Sequence, residues 1–85
     1  ESGAHVEREL ALVKVAGTGD KRIEALRMAD VFRAKVVDTT LTSFIFEITG
    51  TSEKVDSFVA LMRECGLVEV GRTGVVAIGR GVGAA

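Results

Sequence analysis

Residues 43–50 alternate between two kinds of side chain, in the order Ser-Phe-Ile-Phe-Glu-Ile-Thr-Gly. This period of two predicts a half-buried β-strand, because successive side chains of a strand point to opposite faces of the sheet. One face is apolar throughout and holds Phe44, Phe46 and Ile48. The other face is mostly polar and holds Ser43, Ile45, Glu47 and Thr49. We therefore expect the core to cover the first face and function to be found on the second.

A helical period follows within residues 51–66. Apolar side chains recur at the spacing i, i+3, i+4, i+7 and i+10, namely at Val55, Phe58, Val59, Met62 and Cys65. This spacing predicts an amphipathic helix whose apolar stripe packs on the phenylalanine face of the strand. The hydroxyls of Thr51 and Ser52 suit the start of the helix, and Gly66 suits the left-handed position just past its end.

Two further elements are predicted before residue 34. The run from about Arg8 to Ala16 is short, rich in valine and apolar on both faces, which is typical of a central strand. A helix is predicted from about Lys21 to Arg33, with Asp20 as its N-cap. Its apolar side is expected to hold Ile23, Leu26, Ala29 and Arg33, with Ala25, Met28 and Phe32 beside them.

The remaining extended segments complete the order of elements. Residues 34–41 are rich in β-branched side chains and predict a strand, joined by a tight turn to the strand at 43–50. Residues 67–70 predict a fourth strand, residues 71–74 interrupt it, and residues 75–78 resume an extended segment. The order β-α-β-β-α-β predicts an α+β, ferredoxin-like sandwich in which two helices cover one face of a four-stranded antiparallel sheet.

The uncovered face of this sheet is the candidate functional surface. It is expected to carry one apolar side of the first strand together with Ile45, and few charges. An apolar sheet face that is open to water indicates a partner chain or a neighbouring domain. The pattern leaves open which side of the first strand faces the helices, and whether residues 75–78 pair within their own sheet or with a partner.

Composition narrows the possible functions. The 85 residues are enough for one domain with its own core. Eleven lysines and arginines against twelve aspartates and glutamates give a net charge of −1, so no basic surface attracts nucleic acid. No apolar run approaches the ~20 residues of a membrane span, and a single cysteine allows no internal disulfide. These features predict a cytoplasmic protein without nucleic-acid or membrane partners.

Residues that could carry chemistry are few. Gly17-Thr18-Gly19 lies between a strand and a helix, as in a dinucleotide-binding turn, but Arg22 occupies the position of the third glycine, so an ordinary connection is favoured. Cys65 shares the apolar stripe of a helix and is expected to be a core residue. His5 lies near the chain start without an orienting partner. The strand at 43–50 lacks the basic and aromatic open face of RNA-recognition domains. No catalytic, cofactor-binding or metal-binding residue is predicted.

One compact polar motif, Arg72-Thr73-Gly74, stands late in the chain. It can be a glycine-flanked turn with an exposed arginine. Alternatively, Arg72 reaches a carboxylate of a partner through a bidentate bond, which would fix the register of an interface. The predicted interaction surface consists of Ile45, Glu47, Thr49, Arg72 and Thr73.

Four motifs, taken in order, carry a family resemblance. They are RELALVKV at 8–15, VFRAKVVD at 31–38, EITG at 47–50 and EVGRTGVVAIGRG at 69–81. With these motifs the chain resembles, over about residues 5–81, the C-terminal ACT-like domain of the regulatory (small) subunit of acetolactate synthase, also called acetohydroxyacid synthase.

The resemblance implies a division of labour between two subunits. The family's large, catalytic subunit carries thiamine diphosphate, magnesium and FAD, and condenses pyruvate with a second 2-keto acid on the route to valine, leucine and isoleucine. The small subunit performs no chemistry, raises the activity of the large subunit and confers feedback inhibition, typically by valine. This chain is therefore expected to hold no cofactor, to form a homodimer and to act with the large subunit. It would be cytoplasmic, or plastid or mitochondrial in a eukaryote.

Two functions stay open at this point. The first is an ACT-like regulatory and assembly domain at residues 6–81, with a linker at 1–5 and a loose tail at 82–85. The second is an amino-acid sensor with its ligand at a dimer interface. The loop at 17–20 corresponds to the ligand loop of the family's inhibitor-binding domain but lacks the expected proline, so no ligand residue is assigned. Tight binding of valine, leucine or isoleucine by this chain would favour the sensor.

Overall fold

The computed structural model describes residues 5–74 and 76–79, which form two α-helices and five β-strands. In chain order the elements are β1 (His5–Ala16), α1 (Asp20–Val31), β2 (Lys35–Thr39), β3 (Ser43–Gly50), α2 (Ser52–Glu64), β4 (Leu67–Arg72) and β5 (Val76–Gly79). The predicted ferredoxin-like order β-α-β-β-α-β is confirmed, and β5 resumes the extended chain after β4.

The strands form an antiparallel sheet in the order β2-β3-β1-β4. β1 is central, because it pairs with β3 over residues 9–16 and with β4 over residues 11–15. Residues 5–8 of β1 pair instead with residues 76–79 of β5, and we call these two segments the β1–β5 ribbon. The extended segment that follows β4 therefore pairs within its own chain, which answers one of the questions that the sequence pattern leaves open.

The core lies between one face of this sheet and the two helices. The apolar row of β3 is buried as its alternation predicts, with Phe46 at 0% and Ile48 at 1% exposure. The register places Ala11, Val13 and Val15 of β1 on the same face, and all three are buried. The apolar stripe of α2 closes the core, since Val55, Phe58, Val59, Met62 and Cys65 are all buried.

Phe58 joins three elements at the centre of this core. Its ring centroid lies 5.4 Å from that of Phe32, at the end of α1, and 6.0 Å from that of Phe46, on β3. The contact with Phe46 is edge-to-face, with an interplanar angle of 83°, an arrangement that aromatic pairs favour. Phe58 therefore holds α2 against both α1 and the sheet.

The ends of α1 differ from the prediction. Gly19 is the N-cap and Asp20 is already the first helical residue, so Asp20 does not cap the helix. The helix ends at Val31 because Arg33 adopts a positive φ of 58°. The N–H groups of residues 33 and 34 donate back to the last turn at 3.1 and 2.8 Å, which is the Schellman pattern. An arginine thus occupies a position that glycine usually fills.

The buried face of α1 was predicted only in part. Ala25 and Ala29 are buried and Phe32 packs against the core, whereas Ile23 and Leu26 are 50% and 39% exposed. The two alanines belong to the core cluster, and Met28 and Phe32 pack against that cluster. Residues two positions apart on a helix point in nearly opposite directions, so burial of Ala25 leaves Ile23 outside.

The connections follow the chemistry of their residues. The turn at 40–42 is held by the Thr40 N–H, which donates to the Ser43 carbonyl at 2.8 Å, and by the hydroxyls of the same two residues, 2.8 Å apart. The Thr51 hydroxyl caps α2 by accepting from the Lys54 N–H at 3.2 Å. Gly66 follows α2 with a φ of +105°, as predicted, and a Cβ there would collide with a carbonyl oxygen of β1.

Two predictions concern the ends of the chain and membranes. His5 is the first residue of β1, whereas residues 1–4 of the predicted linker and the predicted tail at 82–85 lie outside the described residues. Neither of the helices in the described part is long and apolar enough to cross a membrane.

Replacing Phe58 by Ala is expected to lower the free energy of unfolding by about 3–5 kcal/mol, because the side chain is fully buried and its removal leaves a cavity between α1, α2 and β3. Urea unfolding followed by circular dichroism measures the change. Leu61→Ala on the same helix is the matched control, since Leu61 is 39% exposed and should lose about 1 kcal/mol or less. Equal losses in the two variants would contradict this description of the core.

Candidate interaction surface

The face of the sheet opposite the helices is formed by alternate residues of the four paired strands, and we call it the open face. Residues that pair across strands share a face, so the register defines its rows. The first row holds Gly71, Leu12, Glu47 and Lys35, from β4 to β2. The second row holds Glu69, Lys14, Ile45 and Asp38 in the same order. Leu10 and Thr49 form a third row on β1 and β3.

The centre of the open face is apolar. Leu12 is 46% exposed, and its neighbours Leu10 and Ile45 are half-buried. These side chains lie on the two central strands, where the helices of the same chain cannot reach them. The open face therefore presents apolar area to whatever lies outside, as the sequence predicts.

Charged side chains flank this apolar centre in pairs of opposite sign. Lys14 lies opposite Glu69 across β1 and β4, and Lys35 lies opposite Glu47 across β2 and β3. The expectation that this face carries few charges was wrong, because the outer strands contribute charges that the alternation of β3 alone does not show.

A depression lies on the open face between β1, β3 and β4. Its volume is about 270 Å³, and it is lined by Leu12, Lys14, Ile45, Glu69 and Gly71. It exists because Gly71 stands beside Leu12 and has no side chain to fill the space. The lining combines two apolar side chains with one cation and one anion. It therefore suits an apolar side chain of a partner, flanked on the partner's surface by charged side chains.

Arg72 lies on the helix side of the sheet, beside Ala11, and not on the open face. Its Nε and Nη2 atoms donate to the two carboxylate oxygens of Glu9 at 3.1 and 2.5 Å, and its Nη1 atom lies 2.7 Å from Asp56 Oδ1. Hydrogen bonds to Glu9 and Asp56 raise the pKa of Arg72. The bidentate carboxylate partner of Arg72 therefore belongs to its own chain, unlike the partner carboxylate that the sequence suggested.

Glu9 explains why Arg72 is held in this way. Glu9 is 6% exposed, and it lies in the same row of β1 as Ala11 and the other core residues. A buried carboxylate is costly unless a cation and hydrogen bonds compensate it. Arg72, which is 31% exposed, supplies both, and Asp56 at 63% exposure holds the solvent side of the guanidinium. The cluster ties β1, β4 and α2 together.

Thr73 follows the last residue of β4 and is hydrogen-bonded to β1. Its N–H donates to the Leu10 carbonyl at 3.0 Å, and its hydroxyl accepts from the Leu10 N–H at 3.1 Å. A side-chain hydroxyl here takes the place of a backbone acceptor in the ladder. Gly74 follows with a φ of +85°, which lets the chain turn before it pairs with β1 again.

The structure divides the predicted interaction residues into two groups. Ile45, Glu47 and Thr49 lie together on the open face, whereas Arg72 and Thr73 are engaged in bonds within the chain. That these residues meet a partner stays a prediction. Sequence reasoning missed four residues that line the depression, namely Leu12, Lys14, Glu69 and Gly71. One signal could have found the exposed row of β1, because that row contains a lysine.

Two side chains that the sequence analysis considered for chemistry, those of Cys65 and Arg22, pack against other residues of the chain. Cys65 is 4% exposed at the end of α2, and burial raises the pKa of its thiol, which confirms the core role predicted for it. The Arg22 guanidinium lies 4.0 Å from the centroid of the Phe44 ring, so the residue at the third glycine position packs on the sheet. Within residues 5–74 and 76–79, no three His, Cys, Asp or Glu side chains are grouped as a metal site would require.

Comparisons with known proteins point to one family. The sequence profile of the family described as "Small subunit of acetolactate synthase" matches residues 8–81. The chain is 47% identical over 76 residues to a probable acetolactate synthase small subunit of Archaeoglobus fulgidus, covering 89% of this chain and 48% of that protein. It is 45% identical over 80 residues to the acetolactate synthase isozyme 3 small subunit of Salmonella typhimurium, covering 93% of this chain and 49% of that protein.

A solved structure agrees with this result. The crystal structure of the acetolactate synthase small subunit from Thermotoga maritima matches with a TM-score of 0.86 and 38% sequence identity. The match covers 95% of this chain and 50% of that one. The chain therefore spans about half the length of the relatives that it matches.

Replacing Arg72 by Met is expected to lower the melting temperature, because Glu9 would then keep a buried charge without a partner. The double variant Glu9→Gln, Arg72→Met is expected to recover part of the loss, since the amide carries no charge. Asp56→Asn is the matched control, because it removes the exposed carboxylate of the same cluster and should have a much smaller effect. Thermal unfolding measures all three. An Asp56→Asn loss as large as that of Arg72→Met would contradict the role given to Glu9.

Proposed function

Because the chain belongs to the acetolactate synthase small-subunit family, we propose that it acts as the regulatory and assembly domain at the C-terminal end of such a subunit. The domain would support activation and feedback regulation of the catalytic subunit in the biosynthesis of valine, leucine and isoleucine. The observation that carries the proposal is the family match over residues 8–81, which takes in both helices and strands β2 to β5.

The domain is proposed to work by contact and to perform no chemistry. The names of its relatives, which are small subunits of a synthase, support this role. The burial of Cys65 in the core supports it as well, because a nucleophile must be reached by its substrate. Thiamine diphosphate, magnesium and FAD are assigned to the catalytic partner, and this chain is proposed to bind none of them.

The proposed partners are the large, catalytic subunit and a second copy of this chain. The open face supports a protein partner, because its exposed Leu12 and half-buried Leu10 and Ile45 would lose contact with water on binding. The net charge of −1 supports the absence of nucleic-acid partners. Archaeal and bacterial relatives support a cytoplasmic location, with plastid or mitochondrial placement in a eukaryote.

The alternative of an amino-acid sensor is not favoured. The relatives reported above are named as subunits of a synthase, and their names mention no amino-acid ligand. In the described part of the chain, the loop at residues 17–19 is joined to the sheet by the Gly17 N–H, which donates to the Thr42 carbonyl at 2.9 Å. That N–H is therefore already bonded and is not free for a ligand carboxylate.

An immobilised catalytic subunit of acetolactate synthase is expected to capture this chain from solution, because assembly is its proposed role. Arg72→Met is expected to reduce the capture, since its loss frees Glu9 and Asp56 and loosens the end of β4. Leu41→Ser is the matched control, because Leu41 is 91% exposed at the tip of the β2–β3 turn. Surface plasmon resonance measures the affinities. Absence of binding by the unaltered chain at high concentration would contradict the proposed function.

Self-association is expected to depend on the open face. Light scattering of the unaltered chain should report roughly double the mass of one 9.0 kDa chain at high concentration. Ile45→Glu should return the protein to a monomer with its fold intact, because the side chain is half-buried on the open face and contributes nothing to the core. Leu41→Glu places the same charge at the exposed turn and should leave the dimer unchanged. A monomer in the unaltered protein would contradict this prediction.

A further inference from the structure

We propose that the β1–β5 ribbon opens and closes as a unit of its own while the four-stranded sheet stays folded. Glu9, Arg72 and Asp56, which we call the Arg72 cluster, form the latch at the boundary between the ribbon and the sheet. This device goes beyond the proposed function, because it is a property of the single chain. It gives a domain that works by contact an element whose position can change without melting the core.

The ribbon has less support than the rest of the sheet. The ladder between β1 and β3 ends at Glu9, which lies opposite Gly50, and β4 ends at Arg72. Beyond this row, residues 5–8 of β1 pair with β5 alone among the described strands. A two-stranded ribbon without further packing is marginally stable in water. The sheet therefore changes from four strands to two at the row that contains Glu9.

Burial of side chains on β1 stops at the same row. Ala11 is fully buried and Glu9 is 6% exposed. By contrast, Val6 is 43% exposed, Arg8 is exposed, and neither belongs to the core. Segments with few buried apolar contacts open at a lower free energy than core strands do. Opening the ribbon thus breaks the pairing of two strands but leaves the core intact.

A hinge is present where the outer strand leaves the sheet. Gly74 follows β4 and has a φ of +85°, a conformation that residues with a side chain rarely adopt. A Cβ built on Gly74 meets nothing within 4 Å, so the backbone conformation and not a lack of space requires glycine there. Pairing with β1 resumes at Val76. The chain can therefore turn at Gly74 without any change in β4.

The latch lies on the helix side of this boundary. Arg72 donates two hydrogen bonds to the carboxylate of Glu9, and its Nη1 atom lies 2.7 Å from Asp56 Oδ1 on α2. Separating Glu9 from Arg72 would leave a buried carboxylate without its cation, which is costly. An opening that begins in the ribbon therefore stops at Glu9. Asp56 is 63% exposed, so a partner can reach the latch from the side of the helices.

Native-state hydrogen exchange, followed by NMR at increasing urea concentration in dilute protein, tests the proposal. The Leu10 N–H donates to Thr73 Oγ1 at 3.1 Å, and alternation along the strand directs the N–H groups of Val6, Arg8 and Leu12 to the same side. After correction for intrinsic rates, the Val6 and Arg8 amides are expected to exchange at least about a hundredfold faster than that of Leu12. Their rates should depend little on urea, because local opening exposes little surface. Equal rates and urea dependences for all three amides would overturn the proposal.

Gly74→Ala tests the hinge. The added methyl group has free space but strains the closed backbone, and opening relieves the strain. Exchange at Val6 and Arg8 is therefore expected to accelerate by about tenfold, which corresponds to the usual cost of a side chain at positive φ. Gly71→Ala is the matched control, since it adds the same group to β4 where φ is not positive, and it should leave both rates unchanged. No acceleration in Gly74→Ala, or equal acceleration in both variants, would overturn the hinge.

Arg72→Met tests the latch. Exchange at Leu10 is expected to accelerate by about tenfold more than exchange at Leu12, because the opening then spreads past Glu9. Val59→Ala is the control for a general loss of stability, since Val59 is buried in the core and its truncation should accelerate both amides equally. Equal acceleration of the two amides in Arg72→Met would overturn the latch. The catalytic subunit is absent from these measurements, so their failure is distinct from a failure of capture.

Discussion

The packing of α2 against one face of the sheet is the constraint on which the rest of the structure depends. Phe58 is fully buried and contacts the rings of Phe46 on β3 and Phe32 at the end of α1. Because strand residues alternate, fixing one row of β1 and β3 inside also fixes the other row outside. The same interaction that builds the core therefore decides which residues form the open face.

The open face and the cluster at Arg72 have separate roles that meet at β1. The open face is a mixture of exposed apolar area and paired charges, a composition that suits reversible contact better than a permanently buried core. On the opposite side, Arg72 compensates the buried carboxylate of Glu9, and Thr73 bonds Leu10 where β4 ends. These contacts keep β1 and β4 in register up to the β1–β5 ribbon. A rigid pair of strands is what a partner needs if charges and apolar side chains are to meet in fixed positions.

The sequence correctly predicts the elements whose pattern of apolar residues allows only one face to be buried. The alternation at 43–50 and the stripe of α2 each allow only one buried face, and both predictions are confirmed. In α1 two overlapping arcs are apolar, and only the packing of the whole domain decides that the arc with Ala25 and Ala29 is the buried one. The partner of Arg72 could not be predicted, because Glu9 lies 63 positions away and meets it only through the pairing of β1 with β4. The role of Gly71 likewise depends on that register.

The central claim is that the open face, and not the helix side or the edge of β2, is the surface that contacts a second chain. The most direct measurement is a dilution series of ¹H–¹⁵N correlation spectra, which follows every backbone amide as self-association is lost. The account predicts that concentration-dependent shifts group at Leu12, Lys14, Glu69 and Gly71, with little change along α1 and β2. Shifts confined to α1 and β2, with none on β1 or β4, would contradict it.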